Sequence, residues 1–194
     1  MARPSNTDVR RKQIIDALRA EMSEVGFARA STRSIAERAG LAPGLVHYHF
    51  QDKEEILLAL VEQMISDAEA RFAKLSVEAT TPVERLRAFV ESRVGFGSER
   101  DDESVKLWVN LIADAAGSAS VRQRLAAWLA TEHKRLTSWM REAGSDAASA
   151  HAAFLHAAIF GAFSLHAVGV TGVPKGYAAP QILRWLETVL PRSK

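Results

Sequence analysis

The stretch PGLVHYHF, residues 43–50, sets two histidines on either side of a tyrosine. An imidazole can bind a metal, move a proton or donate to a phosphate oxygen. Two residues apart on a helix, His47 and His49 point about 200° away from each other, so one metal ion cannot take both. No nucleophile stands beside them in a recognisable catalytic pattern. Further along, His133, His151, His156 and His166 show neither an H-E-x-x-H run nor an i, i+4 pair, so neither a metal nor a cofactor site is expected. What remains around residue 47 is a set of groups that can touch another molecule: Thr32, Arg33, Leu45, His47, Tyr48, His49 and Lys53.

Those residues need short elements to hold them. Ser31 is a fitting N-cap for a helix over residues 32–39, and Gly40 closes it. Pro43 suits the first position of a helix that ends near His49. Ile35, Ala36, Ala39, Leu41 and Val46 can line the inside of a two-helix corner, with the small Ala36 at the crossing. A corner with so short a link is the helix-turn-helix arrangement, whose second helix can enter a major groove; a plain packed hairpin fits the same pattern. A helix over residues 7–25 precedes it, with a stripe of Ile14, Ile15, Leu18, Met22 and Val25, and Gly26 stops that helix. Phe50 is expected in the core against this first helix. Asp52 can cap a fourth helix over residues 53–75. Lys53 then faces the positive end of the helix dipole, which makes sense if a phosphate sits there.

The charge distribution agrees. Residues 1–50 hold eight basic side chains (Arg3, Arg10, Arg11, Lys12, Arg19, Arg29, Arg33 and Arg38) against five acidic ones (Asp8, Asp16, Glu21, Glu24 and Glu37). That surplus exceeds the +2 of the whole chain of 194 residues, so positive charge is concentrated at the front, as duplex binding needs. There is no cysteine, which excludes disulfides and thiolate ligands and permits a reducing, cytoplasmic location. Residues 1–15 hold no apolar run of the signal-sequence kind. The stretch AAFLHAAIFGAFSLHAVGV comes closest to a membrane span, but His156 and His166 interrupt it, and it is expected as a buried helix of a soluble protein with no membrane partner.

The run GFARASTRSIAERAGLAPGLVHYHFQDKEEILLAL resembles the DNA-binding head of the TetR family of bacterial transcriptional regulators. The resemblance covers about residues 10–60. It is carried by Gly26-Phe27, Ser31-Thr32-Arg33, Ile35-Ala36, Ala39-Gly40, Gly44, Tyr48-His49-Phe50 and the Lys53-Glu54-Glu55 run. It implies double-stranded DNA as a partner, contacted through Thr32, Arg33, Pro43, Gly44, Leu45, His47, Tyr48, His49 and Lys53. Thr32, His49 and Lys53 match phosphate-contacting positions, Arg33 a base-reaching one, Tyr48 a groove-facing aromatic, and His47 a position where the family commonly has a backbone-contacting tyrosine. Ala42 in place of the frequent serine removes a side-chain cap, and Leu45-Val46 replaces the common threonine-leucine pair; both changes bear on which operator is read.

The fold expected is all-α with about nine helices: a helix-turn-helix head over residues 1–52 joined to a larger helical body over residues 53–194 that binds an effector and dimerises. The later helices cover roughly residues 82–96, 103–116, 120–143, 146–169 and 179–190. The family's usual plan puts the dimer interface on the last two helices. Phe154, Ala158, Gly161 and Leu165 with Ile182, Trp185 and Val189 would then form a four-helix contact in a homodimer. Aromatic residues scattered over the body (Phe89, Phe96, Trp108, Trp128, Trp139, Phe154, Phe160 and Phe163) are those of a core or of a pocket. Phe89, Trp108, Trp139, His156 and Phe160 are the lining candidates for a small organic effector, with Arg93, His133 or His156 able to meet an acid group. An enzyme is not expected, because no glycine-rich phosphate loop, serine elbow or carboxylate cluster is present. Two functions remain: a repressor released from a palindromic operator by its effector, and an effector-independent adaptor or architectural protein on DNA.

Overall fold

Serine at 31, glycine at 40, proline at 43 and aspartate at 52 punctuate the first quarter of the chain, and each does so by a local mechanism. The computed structural model describes residues 6–95, 102–115 and 117–191; Arg3 and Phe96 lie outside them. Within them the chain is all-helical: α1 (Asn6–Val25), α2 (Thr32–Ala39), α3 (Pro43–His49), α4 (Lys53–Leu75), α5 (Pro82–Val94), α6 (Asp102–Ala115), α7 (Ala119–Glu142), α8 (Ala148–Val168) and α9 (Ala178–Val189). Ser31 and Ser34 close a capping box at the start of α2, each side-chain oxygen accepting the other's backbone N–H at 3.0 Å. Gly40 ends α2 at φ +64°, a left-handed turn that a Cβ would strain. Ala42 supplies no side-chain cap to α3, and Pro43 opens it instead. The Asp52 carboxylate accepts the Glu55 N–H at 2.8 Å, while Glu55 accepts the Gln51 N–H at 2.7 Å.

The chain forms two compact units. The head unit comprises Met1–Met64 with Asn110–Gln123, and the body unit comprises Ile65–Val109 with Arg124–Lys194. The division therefore falls inside α4 rather than before it, and the α6–α7 corner belongs with the head.

In the head, α1, α2 and α3 pack on one another. Ile14, Leu18, Met22, Ile35, Ala36, Val46, Phe50, Ile56, Leu57, Leu60 and Val61 are all but fully buried. The apolar stripe of α1 frays at its end, where Val25 is exposed. Long-range polar ties hold the corner. Gln13 donates to the Ala39 carbonyl at 2.6 Å, and Arg38 pairs with Glu21 at 2.7 Å and with Glu24. Arg11 donates to the His49 carbonyl and lies 4.0 Å above the Phe50 ring. At the α6–α7 corner, Ser118 and Ser120 both donate to the Glu54 carboxylate, which holds its pKa below the usual range.

In the body, α5 packs against α8 and α9, and α8 against α9. Leu86, Phe89, Val90, Val94, Leu107, Leu136, Met140 and Leu155 are buried. Helix α8 departs from the sequence expectation. By length and composition it could cross a membrane, yet only 28% of its most apolar stretch is buried. One side, Ala152, Leu155, Ile159, Ala162 and Phe163, enters the core, while Phe154, Leu165 and Val168 stay exposed. A helix that is apolar all round needs cover all round, and one chain covers only one side.

Lys53 has intramolecular partners that the sequence does not indicate. Its ammonium turns back to the loop between α1 and α2 and donates to the carbonyls of Phe27 and Ala30, both at 2.8 Å, with the Phe27 ring 4.2 Å away. Within the chain these groups offset the unfavourable helix dipole. Lys53→Met should lower the unfolding stability by about 1–3 kcal/mol, because two carbonyls lose their donor. Urea denaturation of both proteins checks this, and equal midpoints would mean that water satisfies the carbonyls as well as the ammonium does.

Candidate nucleic-acid interface and effector site

Helix α3 buries one side chain, Val46. Pro43, Gly44, Leu45, His47 and Tyr48 are all exposed, with Tyr48 retaining 78% of its surface. His49 is half-buried, and its ring meets the edge of Tyr48 with centroids 5.0 Å apart. At the start of α2, Thr32 is half-buried and Arg33 projects into solvent with 83% of its side chain exposed. The Arg33 Nε donates to Glu37 at 3.1 Å. An exposed i, i+4 pair of this kind holds by only about 0.3–0.5 kcal/mol, so a base edge can compete for the guanidinium. Of the nine residues expected to meet DNA, eight lie on α2 or α3, and the ninth, Lys53, has its ammonium directed at the α1–α2 loop. Arg11, counted at first only as charge, acts as a brace by tying α1 to the end of α3. Nothing local in the sequence signals that tie, which spans 38 positions.

The body carries its polar chemistry inside. Arg93 is 6% exposed and Glu132 2%, and the two are paired. Arg93 also donates to the Ala68 carbonyl at 2.8 Å and lies 3.5 Å from Glu69. Arg135 forks onto both oxygens of Glu69 at 3.0 Å, and Trp128 donates to the same carboxylate at 3.2 Å. Burial pushes the Glu132 carboxyl up, against the pull of Arg93. Burial also raises Glu69, but the hydrogen bonds from Arg135 and Trp128 outweigh it and hold that carboxyl below its ordinary range. The guanidinium of Arg93 sits 4.6 Å from the Phe89 ring and 5.7 Å from that of Trp128; Arg135 sits 5.0 Å from Phe72 and 5.6 Å from Trp139.

Four of the five lining candidates fall on one chain of ring contacts. Trp139 meets Phe72, Phe72 meets Phe89, Phe89 meets His156, and His156 stacks near Phe160, with centroids 5.5–6.4 Å apart. Trp108 stands apart from that chain, stacked on Trp128 at 5.3 Å. The Nε2 of His156 is buried with no hydrogen-bond partner. Burial, with His133 and Arg93 nearby, pushes the imidazole down to about 4, so it is neutral at physiological pH and no match for an acid group. Two surface grooves of the body are lined by other residues: one of about 390 Å³ by Val83, Arg87 and Leu183 among others, and one of about 260 Å³ by Leu165, His166 and Tyr177 among others. Among the described residues no group of three or more histidines and carboxylates is placed to hold a metal.

On α8 and α9, Phe154, Gly161 and Leu165 are exposed and Ala158 is half-buried. Trp185 and Val189 are half-buried, and the Trp185 ring is 4.7 Å from that of Phe154. Ile182 is 7% exposed and belongs to the inner face of α9 with Ala178, Ala179 and Leu186, so it is spent on the chain's own core rather than offered to a partner.

Residues 14–60 match the model of bacterial regulatory proteins of the tetR family. The HTH-type transcriptional regulator BetI of Yersinia pestis (strain Pestoides F) is 32% identical over 138 residues, which cover 66% of this chain and 68% of that protein. The chain belongs to the TetR family. It is also 30% identical to BetI of Rhizobium meliloti (strain 1021) over 118 residues, which are 60% of this chain and span little more than half, 57%, of that relative. Among solved structures, a Saccharomonospora viridis protein in complex with choline has a TM-score of 0.83 at 20% identity, covering 95% of this chain and all of that one. At that identity the likeness is one of fold. TetR membership sets the chain among transcription regulators rather than enzymes, and the matched residues 14–60 take in α2, α3 and the start of α4.

The low imidazole pKa has a measurable consequence. Above pH 6.5, His156 is neutral both folded and unfolded; between 6.5 and about 4, only the unfolded chain takes up the proton, so stability falls as the pH falls through that window. His156→Phe removes this component. Its urea midpoint should fall less than that of the wild type across the same window. Parallel curves would mean that the imidazole is not held neutral.

Proposed function

We propose that this chain is a cytoplasmic, ligand-responsive transcriptional regulator, a repressor that binds a palindromic operator as a homodimer and leaves it when a small organic effector enters the body. One observation carries the DNA-binding part. Of the seven residues of α3, Val46 enters the core, His49 is half-buried and the other five face outward, from a three-helix corner braced by Arg11, Gln13 and Arg38. TetR membership supports it. Arg33 reads a base edge, Thr32 and His49 meet phosphate, and His47 and Tyr48 lie along the groove. A single short helix reads only a few base pairs, so a second copy doubles the contact. The exposed side of α8, with Phe154, Ala158, Gly161 and Leu165, joined by Trp185 and Val189 of α9, is the surface that copy covers.

The effector lies against Phe89, His156 and Phe160. The support is the orphaned Nε2 of His156 among aromatic rings, since a buried polar atom without a partner calls for one. Its chemistry is that of a neutral, mostly apolar organic compound with one hydrogen-bonding group. An acid would face Arg93, which already has Glu132, and a neutral imidazole. The structural neighbour from Saccharomonospora viridis holds choline. In this chain the ring faces that could cage such a cation already carry Arg93 and Arg135. The effector releases DNA by population shift, binding more tightly to a body conformation in which α4, shared by both units, changes the spacing of the two heads.

Titration of the full chain against a selected operator and random duplex, at several salt concentrations, tests the first part. Arg33→Ala should weaken operator binding by about 1–3 kcal/mol and relax one position of each half-site, with little effect on random duplex. Equal losses on both DNAs would remove its base-reading role, and sedimentation of a strict monomer would remove the dimer. For the effector, a panel of neutral aromatic alcohols and amides should quench tryptophan fluorescence and release operator DNA from the wild type, and act more weakly on His156→Phe. A flat response across the panel would leave an adaptor without an effector.

A further inference from the structure

The first turn of α3 carries no side chain able to make a hydrogen bond. Its residues are Ala42, Pro43, Gly44, Leu45 and Val46. Val46 is buried and the other four are exposed. In a helix-turn-helix protein, the start of the second helix is the part that reaches base edges, and it usually does so with amides, guanidiniums or hydroxyls. Here that turn has only shape and apolar surface to offer.

Two adjacent features make the omission specific. Leu45 leaves 42% of an isobutyl-bearing residue in water. Gly44 stands next to it in helical backbone without a positive φ, and a Cβ added there would meet nothing within 4 Å. Glycine inside a helix costs about 1 kcal/mol against alanine, so the head bears a small loss that its own packing does not require. A missing side chain beside a protruding apolar one makes a notch with a greasy wall. It suits a partner whose surface comes close to the backbone at residue 44 and is apolar at residue 45.

In the major groove the apolar group on offer is the C5-methyl of thymine. We infer that Leu45 reads a thymine methyl group in each half-site, with Gly44 letting the helix backbone approach that base step closely. This rests on the DNA-binding function proposed above and adds to it the chemistry of one base position. Selectivity there is by methyl contact and fit, while hydrogen-bond readout falls to Arg33, His47 and Tyr48. The operator accordingly carries a thymine in each half-site opposite the start of α3.

The experiment uses the full chain and a duplex selected from a random pool. Each thymine of the selected site is replaced in turn by deoxyuridine, which removes the methyl and nothing else. At one thymine per half-site the affinity should fall about fourfold, and about fifteenfold when both half-sites are changed, as expected for one buried methyl each. Leu45→Ala should bind the thymine and deoxyuridine duplexes alike at that position. Leu45 keeps 42% of its surface in water, so the unfolding midpoint of the variant should fall only modestly and leave it fully folded under the binding conditions, which separates a reading defect from a folding one. Gly44→Ala should unfold at the same or higher denaturant concentration and yet bind the operator more weakly. Wild-type indifference to every replacement would overturn the inference, as would a thymine preference that survives in Leu45→Ala. Unchanged operator affinity in Gly44→Ala would overturn the close approach. Selection of no duplex at all would instead remove the DNA-binding function and this inference with it.

Discussion

A seven-residue helix has no stability of its own. In water, isolated helices shorter than about a dozen residues barely form, because the first turn costs more than its hydrogen bonds return. Helix α3 lies well below that length, lacks a side-chain cap and contains a glycine. Its existence depends on the corner around it. Val46 and Phe50 anchor it in the core from inside and just after the helix, Arg11 holds the His49 carbonyl, and Gln13 ties α1 to the end of α2. Even Lys53, on the next helix, steadies the loop that leads into α2. Four polar side chains of the head, those of Arg11, Gln13, Arg38 and Lys53, thus brace the corner that holds one short element, and none of them covers its outer face.

The body solves a different problem. It buries the Arg93–Glu132 pair, sets the half-buried Arg135 and Glu69 beside it so that the four charges cancel, and lays aromatic faces over both guanidiniums. Such a network costs desolvation and adds little net stability, but its geometry is demanding, and removing any member leaves a charge without its counterpart. It fixes how α4, α5 and α7 meet inside the body. Beside it, His156 remains neutral with a buried nitrogen unused. The network itself is not fully satisfied, since the Nε of Arg93 and of Arg135 are also buried without a hydrogen-bond partner, so the unmet polar atoms of this region include one imidazole nitrogen and two guanidinium nitrogens.

Whatever depends on near neighbours was legible in the sequence. The caps at Ser31 and Asp52, the left-handed Gly40, and the bounds of α2, α3 and α4 follow from side chains a few residues apart, and the family resemblance rests on the same stretch. Ties across dozens of residues were not. The dipole argument at Lys53 correctly demanded an electronegative partner but could not see the carbonyls of Phe27 and Ala30. An apolar run such as α8 tells how much surface wants cover, not who covers it; composition alone makes it a buried helix, and only the family's plan marks one side of it for a second copy. Ile182 shows the reverse, since a position that looked available lies inside. The Arg93–Glu132 pair spans 39 positions and has no sequence signature at all.

The ion pairs of the head bear on how the protein spends its time. Arg38 is committed to Glu21 and Glu24, Lys12 to Asp16, Arg11 to Glu55 and to a carbonyl, and Arg33 rests on Glu37. On the DNA-binding reading proposed above, each cation paired in place must share or give up its partner before it meets a phosphate, and such pairs lower the salt-dependent, sequence-independent part of the grip. Dwell times on wrong sequences shorten accordingly. A DNA reader built this way needs a smaller pool of molecules to keep one site occupied, and it finds that site again more quickly after any release.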